Sequence, residues 1–194
     1  MLILVRHGRT VANASGLLQG RVDHPLDPIG ELQAAAIATA VGAVDRIVSS
    51  PLRRALETAT TVAEQVGLPV EVDDRWIEVD YGVYDGVELG TAAATELWER
   101  WRVDTGFVPL GGESLVQMGE RVAEAMEELL KAAATADIAV VSHVSPIKAA
   151  VSWVLHADAE TAWRAHLDQA SISRIAITPR GAVLRSFNET WHLT

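Results

Sequence analysis

Four short runs carrying Val, Ile and Leu, at residues 2–5, 46–49, 69–72 and 138–142, constrain what this chain can fold into. Each has the length of a buried strand, and Ala-rich segments of helical length lie between them. Strands alternating with helices predict an α/β fold around a mostly parallel sheet. In such sheets ligands gather just beyond the carboxyl ends of the strands. The residues just after each run therefore matter more than the run itself.

The first run passes directly into Arg6, His7, Gly8, Arg9 and Thr10, with Asn13 close behind. A cation and a potential imidazole nucleophile thus arrive together where the backbone leaves the sheet, and Gly8 lets it turn tightly. A solvated surface turn would explain Arg-His-Gly alone. The fourth run, however, ends in a second histidine, His143. Two strands that each deliver a histidine at the carboxyl end form a constellation.

Asp27 and Pro28 read as N-cap and first position of a helix over residues 28–41, closed by Gly42. The second strand, at 46–49, runs into Ser50-Pro51, an N-cap and first helical position, which places Arg53 in the first helical turn. Free N–H groups and partial positive charge there suit a phosphate, while a cation is unfavourable for the helix itself. Together with the histidines, this makes Arg53 a second phosphate clamp and leaves Arg54 to solvent or a salt bridge. The loop at 76–82 holds two acids, Glu78 and Asp80, among aromatic residues that can desolvate a carboxyl group and leave it a proton to donate. Trp98 and Trp101, three apart on a predicted helix, serve as core or as a pocket wall. Ser114 caps a helix reaching about residue 134, whose Glu120, Glu124, Glu127 and Glu128 form a solvated face. Helices at 146–155 and 159–165 and strands at 173–178 and 182–187 complete the chain. A turn at 179–181 joins the two strands as an antiparallel edge, which could mediate a homodimer.

The 194 residues suffice for one domain over 1–194 with a substantial core. No run is long enough to span a bilayer, so a cytoplasmic location is expected. The absence of cysteine removes disulfides, thiolate metal sites and cysteine nucleophiles. A net charge of −10 argues against nucleic acid and acidic lipid as partners. Neither metal-ligand spacing nor a Walker-type loop is present.

LVRHGRTVAN followed by LLQGRVDHPLDPIG, with SSPLRRALETA and VVSHVSPIKAAV, resembles the histidine phosphatase superfamily, the phosphoglycerate-mutase-like proteins. The resemblance covers nearly the whole chain, and HVSPIK with the C-terminal strand resembles a phosphatase branch found fused to ribonuclease H domains. It implies a three-layer α/β/α sandwich, and His7 as nucleophile with Arg6, Arg53 and His143 around a phosphoryl group. It selects Glu78 over Asp80 as proton donor, from its place before Gly82-Val83-Tyr84-Asp85-Gly86. Thr10, Asn13, Gln19 and Gly20 are implied as pocket-lining positions. Val144, where the family usually has Gly, is a further position expected at the pocket. The serine and acid of the GGES turn border it as well.

The expected chemistry needs no cofactor, because arginines neutralise the phosphoryl charge. His7 attacks phosphorus from an unprotonated nitrogen, His143, if protonated, stabilises the transferring group, and Glu78 protonates the leaving oxygen. Between Glu78 and His143 the cations are Arg100, Arg102, Arg121 and Lys131, with no arginine pair to hold a bisphosphate. Hydrolysis of a small phosphorylated metabolite is therefore expected over mutase action. A catalytically silent phospho-ligand binder and a phosphoprotein phosphatase are the other readings. Sugar phosphates, phosphoglycerate derivatives and α-ribazole phosphate all remain open as substrates.

Overall fold

Alternation along the first strand, β1 (Leu2–Arg6), divides the core in two. Leu2 and Leu4 enter one hydrophobic cluster and Ile3 and Val5 the other. A strand buried on both faces must lie inside a sheet covered twice. The computed structural model, which describes residues 1–158 and 160–194, has that arrangement. The remaining strands are β2 (Arg46–Ser49), β3 (Val70–Val72), β4 (Ile138–Ser142), β5 (Ile172–Thr178) and β6 (Gly181–Glu189), in the order β3-β2-β4-β1-β5-β6. β1 to β4 pair in parallel, and β5 and β6 extend the sheet antiparallel, as expected.

The short helix α1 (Val11–Ala14) comes after β1. Helices α2 (Pro28–Val41) and α3 (Arg53–Val66) supply the Ile3/Val5 cluster. Helices α4 (Ala92–Val103), α5 (Leu115–Ala132) and α6 (Val144–Val154) supply the Leu2/Leu4 cluster. The short α7 (Thr161–Arg164) precedes β5. β1 and β4 are neighbours, yet the long helices that come after them, α2 and α6, lie on opposite faces. That divergence opens a crevice beyond the carboxyl ends of β1 and β4, where such sheets bind ligands.

The helix starts have local causes. Asp27 accepts the Gly30 N–H at 2.8 Å and Pro28 opens α2. Ser114 and Gln117 form a reciprocal capping box on α5. α3 departs from expectation by starting at Arg53, after an N-cap position at Leu52 that has no side-chain cap. Its first N–H donates to Asp23 at 2.6 Å, while Ser50 Oγ takes the Leu52 N–H at 3.3 Å and the His143 Nε2–H at 2.7 Å. α6 begins at Val144, two residues before expectation. Residue 159, the expected first residue of the following helix, lies outside the described residues. Among those described, no helix is long and apolar enough to cross a membrane.

α2 meets the turn after β1 backbone to backbone. A Cβ on Gly8 would lie 2.5 Å from the Gly30 carbonyl oxygen, and one on Gly30 would collide with the Arg9 carbonyl oxygen. Gly8 is thus required for close approach. Gly30→Ala is expected to cost about 1–3 kcal/mol of stability through this overpacking. Urea unfolding measures the loss, and an unchanged midpoint would show that the contact yields without strain.

Candidate active site

The register of β1 on β4 builds the centre of the crevice. Arg6 pairs with Ser142, so His7 and His143 leave the sheet side by side. The His7 N–H donates to the Ser142 carbonyl at 3.0 Å, and the two rings stand 5.0 Å apart. Both are buried, at 3% and 0% exposure. The His7 Nδ1–H donates to the Gly8 carbonyl at 2.7 Å, which leaves Nε2 with its lone pair. Burial, reinforced by Arg54 and Arg6, holds the His7 imidazole well below its ordinary range. The ring is neutral, with one fixed tautomer and an Nε2 lone pair.

His143 is neutral as well, with the opposite tautomer. Its Nδ1 accepts the Arg54 Nε–H at 3.2 Å, so the ring proton resides on Nε2, which donates to Ser50 Oγ at 2.7 Å. Burial, then Arg54 and His7, holds it well below the imidazole range. The condition of a protonated His143 is not met: the ring is a neutral hydrogen-bond donor, because a guanidinium occupies the other nitrogen.

The structure exchanges the expected roles of the two arginines. Arg53 is 59% exposed along its side chain and pairs with Glu57 at 2.6 Å. Arg54 is 1% exposed and donates to the carbonyls of Gly20 at 2.7 Å and Val22 at 2.9 Å, besides His143. The cause is helical phase. Arg54 belongs to the buried row Arg54, Ala55, Thr58, Ala59, Val62 and Ala63, which faces the sheet. Burial lowers Arg54 against the opposing pull of Glu78 and Asp23. Arg6 is lowered by burial to about 10, so it remains cationic at neutral pH. Its Nη1 donates to the Leu167 carbonyl at 2.6 Å, while its buried Nε has no partner among the described residues.

Glu78 is 6% exposed, and its Oε1 accepts the N–H groups of Val79 at 2.8 Å and Ser145 at 3.3 Å. The second contact ties it to the first turn of α6, directly after His143. Two residues upstream, the Trp76 carbonyl accepts from Ser142 Oγ at 2.7 Å. Arg121 donates to the carbonyls of Arg75 at 2.7 Å and Glu78 at 3.3 Å. Glu113, from the GGES turn, accepts from Arg121 at 2.7 Å, Arg21 at 3.1 Å and the Asp80 N–H at 3.1 Å. Asp80 itself accepts the Gly82 N–H at 2.9 Å, a turn-forming role.

Of the implied pocket-lining residues, Thr10 and Asn13 cap α1 reciprocally, and buried Gln19 bonds to Thr10 Oγ1 at 2.9 Å. Gly20 contributes its carbonyl to Arg54 and has a positive φ of 48°. A Cβ there would collide with Asp85 and Tyr81, so only glycine fits. Val144 lines a cavity of about 450 Å³ beside the crevice. Trp98 and Trp101 both line that cavity, and Trp101 is also fully buried in the core and donates its indole N–H to the Phe107 carbonyl at 2.9 Å, so it is core and pocket wall at once. Lys148, one helical turn beyond Val144, is a site cation that the sequence motifs did not single out. Burial, then Arg6, holds its ammonium below the ordinary range. Its position four residues after Val144 was the available signal. Among the described residues no group of three or more His, Asp or Glu could hold a metal ion.

Comparison with known proteins agrees with this geometry. The profile of the histidine phosphatase superfamily (branch 1) matches residues 2–190. The bifunctional protein Rv2228c of Mycobacterium tuberculosis is 37% identical over 99% of this chain and 54% of its own length. The chain thus spans about half the length of that relative. Phosphoserine phosphatase 1 of Hydrogenobacter thermophilus is 36% identical over 99% of this chain and 93% of that one. Among solved structures, mycobacterial glucosyl-3-phosphoglycerate phosphatase in complex with VO3 superposes with a TM-score of 0.88 at 29% identity, covering 97% and 99% of the two chains. A crevice built on two neutral histidines, the buried Arg54 and the half-buried Arg6, within a match of this extent, identifies the chain as a member of the histidine phosphatase superfamily, branch 1.

Proposed function

We propose that the chain is a phosphomonoesterase that hydrolyses a small phosphorylated metabolite through a phosphohistidine. The observation that carries this reading is the fixed tautomer of His7, whose Nδ1–H is held by the Gly8 carbonyl. Its Nε2 lone pair attacks phosphorus, forming the N–P bond as the ester P–O bond breaks. Arg6 and Arg54 supply positive charge where the equatorial oxygens gather negative charge. His143 contributes its Nε2–H, turned from Ser50 to a phosphoryl oxygen. Glu78, tethered through Oε1, gives a proton to the leaving oxygen from Oε2. As carboxylate it then takes a proton from water, whose oxygen bonds to phosphorus while the N–P bond breaks and returns the lone pair to His7.

Hydrolysis is favoured over mutase action by what the arginines between Glu78 and His143 do. Arg121 is engaged by Glu113 and two carbonyls, Arg100 pairs with Glu96 at 2.8 Å, and Arg102 lies over the Trp163 ring. They form no arginine pair for a second phosphate, and Lys148 adds only a single ammonium.

Phosphate release from a panel of phosphomonoesters, with chelator present, tests the proposal. Wild type is expected to turn over at least one ester, and His7→Ala to show no release and no acid-labile, base-stable label from a ³²P-ester. Arg54→Ala is expected to lower kcat by about 10²–10³. Arg53→Ala is expected to stay within about threefold, as a solvated substitution does. Undiminished release by His7→Ala, or a larger loss in Arg53→Ala than in Arg54→Ala, contradicts the assignment.

A further inference from the structure

The cavity of about 450 Å³ lies between α4, α5, α6 and α7, and four tryptophans contribute to its wall. Trp98 stands edge-on to Tyr81 and to Trp163, with both ring centroids at 5.8 Å. Trp153 lines it from α6. The cavity reaches Val144 and Ser145, the residues directly after His143, and the Ser145 N–H holds Glu78. Its wall therefore lies one hydrogen bond from the carboxyl group assigned to the leaving oxygen. Lys148 is the one cation in its lining, and it has no hydrogen bond or ion pair among the described residues. Lys148 stands one helical turn beyond Val144, where the cavity meets the residues that follow His143.

Resting on the phosphatase reading, we infer that this cavity receives the alcohol part of the substrate, that this alcohol is a planar aromatic group, and that Lys148 pairs with an anionic substituent between the ring and the phosphate. An amino acid or sugar acid needs many hydrogen-bond partners when desolvated. This wall offers ring faces and edges, two serine hydroxyls, the Tyr81 hydroxyl and one ammonium. Flat rings gain most from such a lining, by stacking and edge contact. Trp98, Trp153 and Trp163 are the specificity-determining residues, with Lys148 as the anion selector. Trp163 is partly buried on the short α7. Its removal therefore tests the site with little threat to folding.

The experiment measures kcat/KM for 2-naphthyl phosphate, 3-carboxy-2-naphthyl phosphate and phosphoserine, with calorimetric titration of non-hydrolysable 2-naphthylphosphonate. Wild type is expected to prefer the naphthyl esters to phosphoserine by at least about tenfold, and Trp163→Ala to reduce that ratio about tenfold. Lys148→Met is expected to abolish the advantage of the carboxylated ester over the plain one. A wild type that favours phosphoserine, or a ratio unmoved by Trp163→Ala, overturns the inference. If no ester is hydrolysed, the phosphatase reading falls and the titration alone decides about the cavity. Phosphonate binding about tenfold weaker in Trp163→Ala upholds it. Equal binding by both proteins, or no binding by wild type, overturns it.

Discussion

The buried guanidinium of Arg54 is the interaction on which the rest of the site depends. It reaches from α3 to two carbonyls of the Gly20–Val22 turn and to His143 Nδ1, joining three segments distant in sequence. A desolvated charge of this kind costs several kcal/mol unless its donors are met, and here charge-assisted hydrogen bonds offset that cost. Its position has two electrostatic consequences. It occupies the acceptor nitrogen of His143 and thereby fixes that ring's tautomer. It also stands among the causes that keep both imidazoles neutral. A site of two cationic arginines and two neutral histidines can accept an anion without first losing protons.

Around that centre the fold supplies position and the loops supply restraint. The parallel pairing of β1 and β4 sets the histidines side by side, and the divergence of α2 and α6 leaves space in front of them. Glu78 comes from an irregular loop, which needs more support than a strand end. Glu113 provides it by binding Arg21, Arg121 and the Asp80 N–H together. Arg121 extends this support to the Glu78 carbonyl itself. The carboxyl group is thus held by its neighbours' backbone and by a charge network that does not touch its Oε2.

Much of this arrangement was legible in the chain. β2, β4 and α2 fall on the residues that their apolar pattern, caps and Pro28 indicate, because local propensity and burial agree there. The two histidines could be located because strand ends fix them within a residue. The local pattern points to Arg53 where the structure uses Arg54, since Ser50-Pro51 imitates a helix start while Ser50 Oγ is engaged by His143. The spacing of Arg54 with Thr58 and Val62, and of Ala55 with Ala59 and Ala63, carries the correct phase. Glu113 and Lys148 were less visible because their roles depend on which distant segments meet them. The protonation of His143 was beyond reach for the same reason: it is set by a partner 89 residues away.

Nitrogen-15 NMR of the histidine side chains tests the central claim most directly. The account predicts that at about pH 7 His7 carries its proton on Nδ1 and His143 on Nε2. Both rings are predicted to remain neutral well below the ordinary imidazole range of about 6.5. The other histidines, His24, His156, His166 and His192, provide the internal reference for a solvent-exposed or structural ring. An imidazolium signal from His7 or His143 at about pH 7, or the same tautomer in both, would contradict the account.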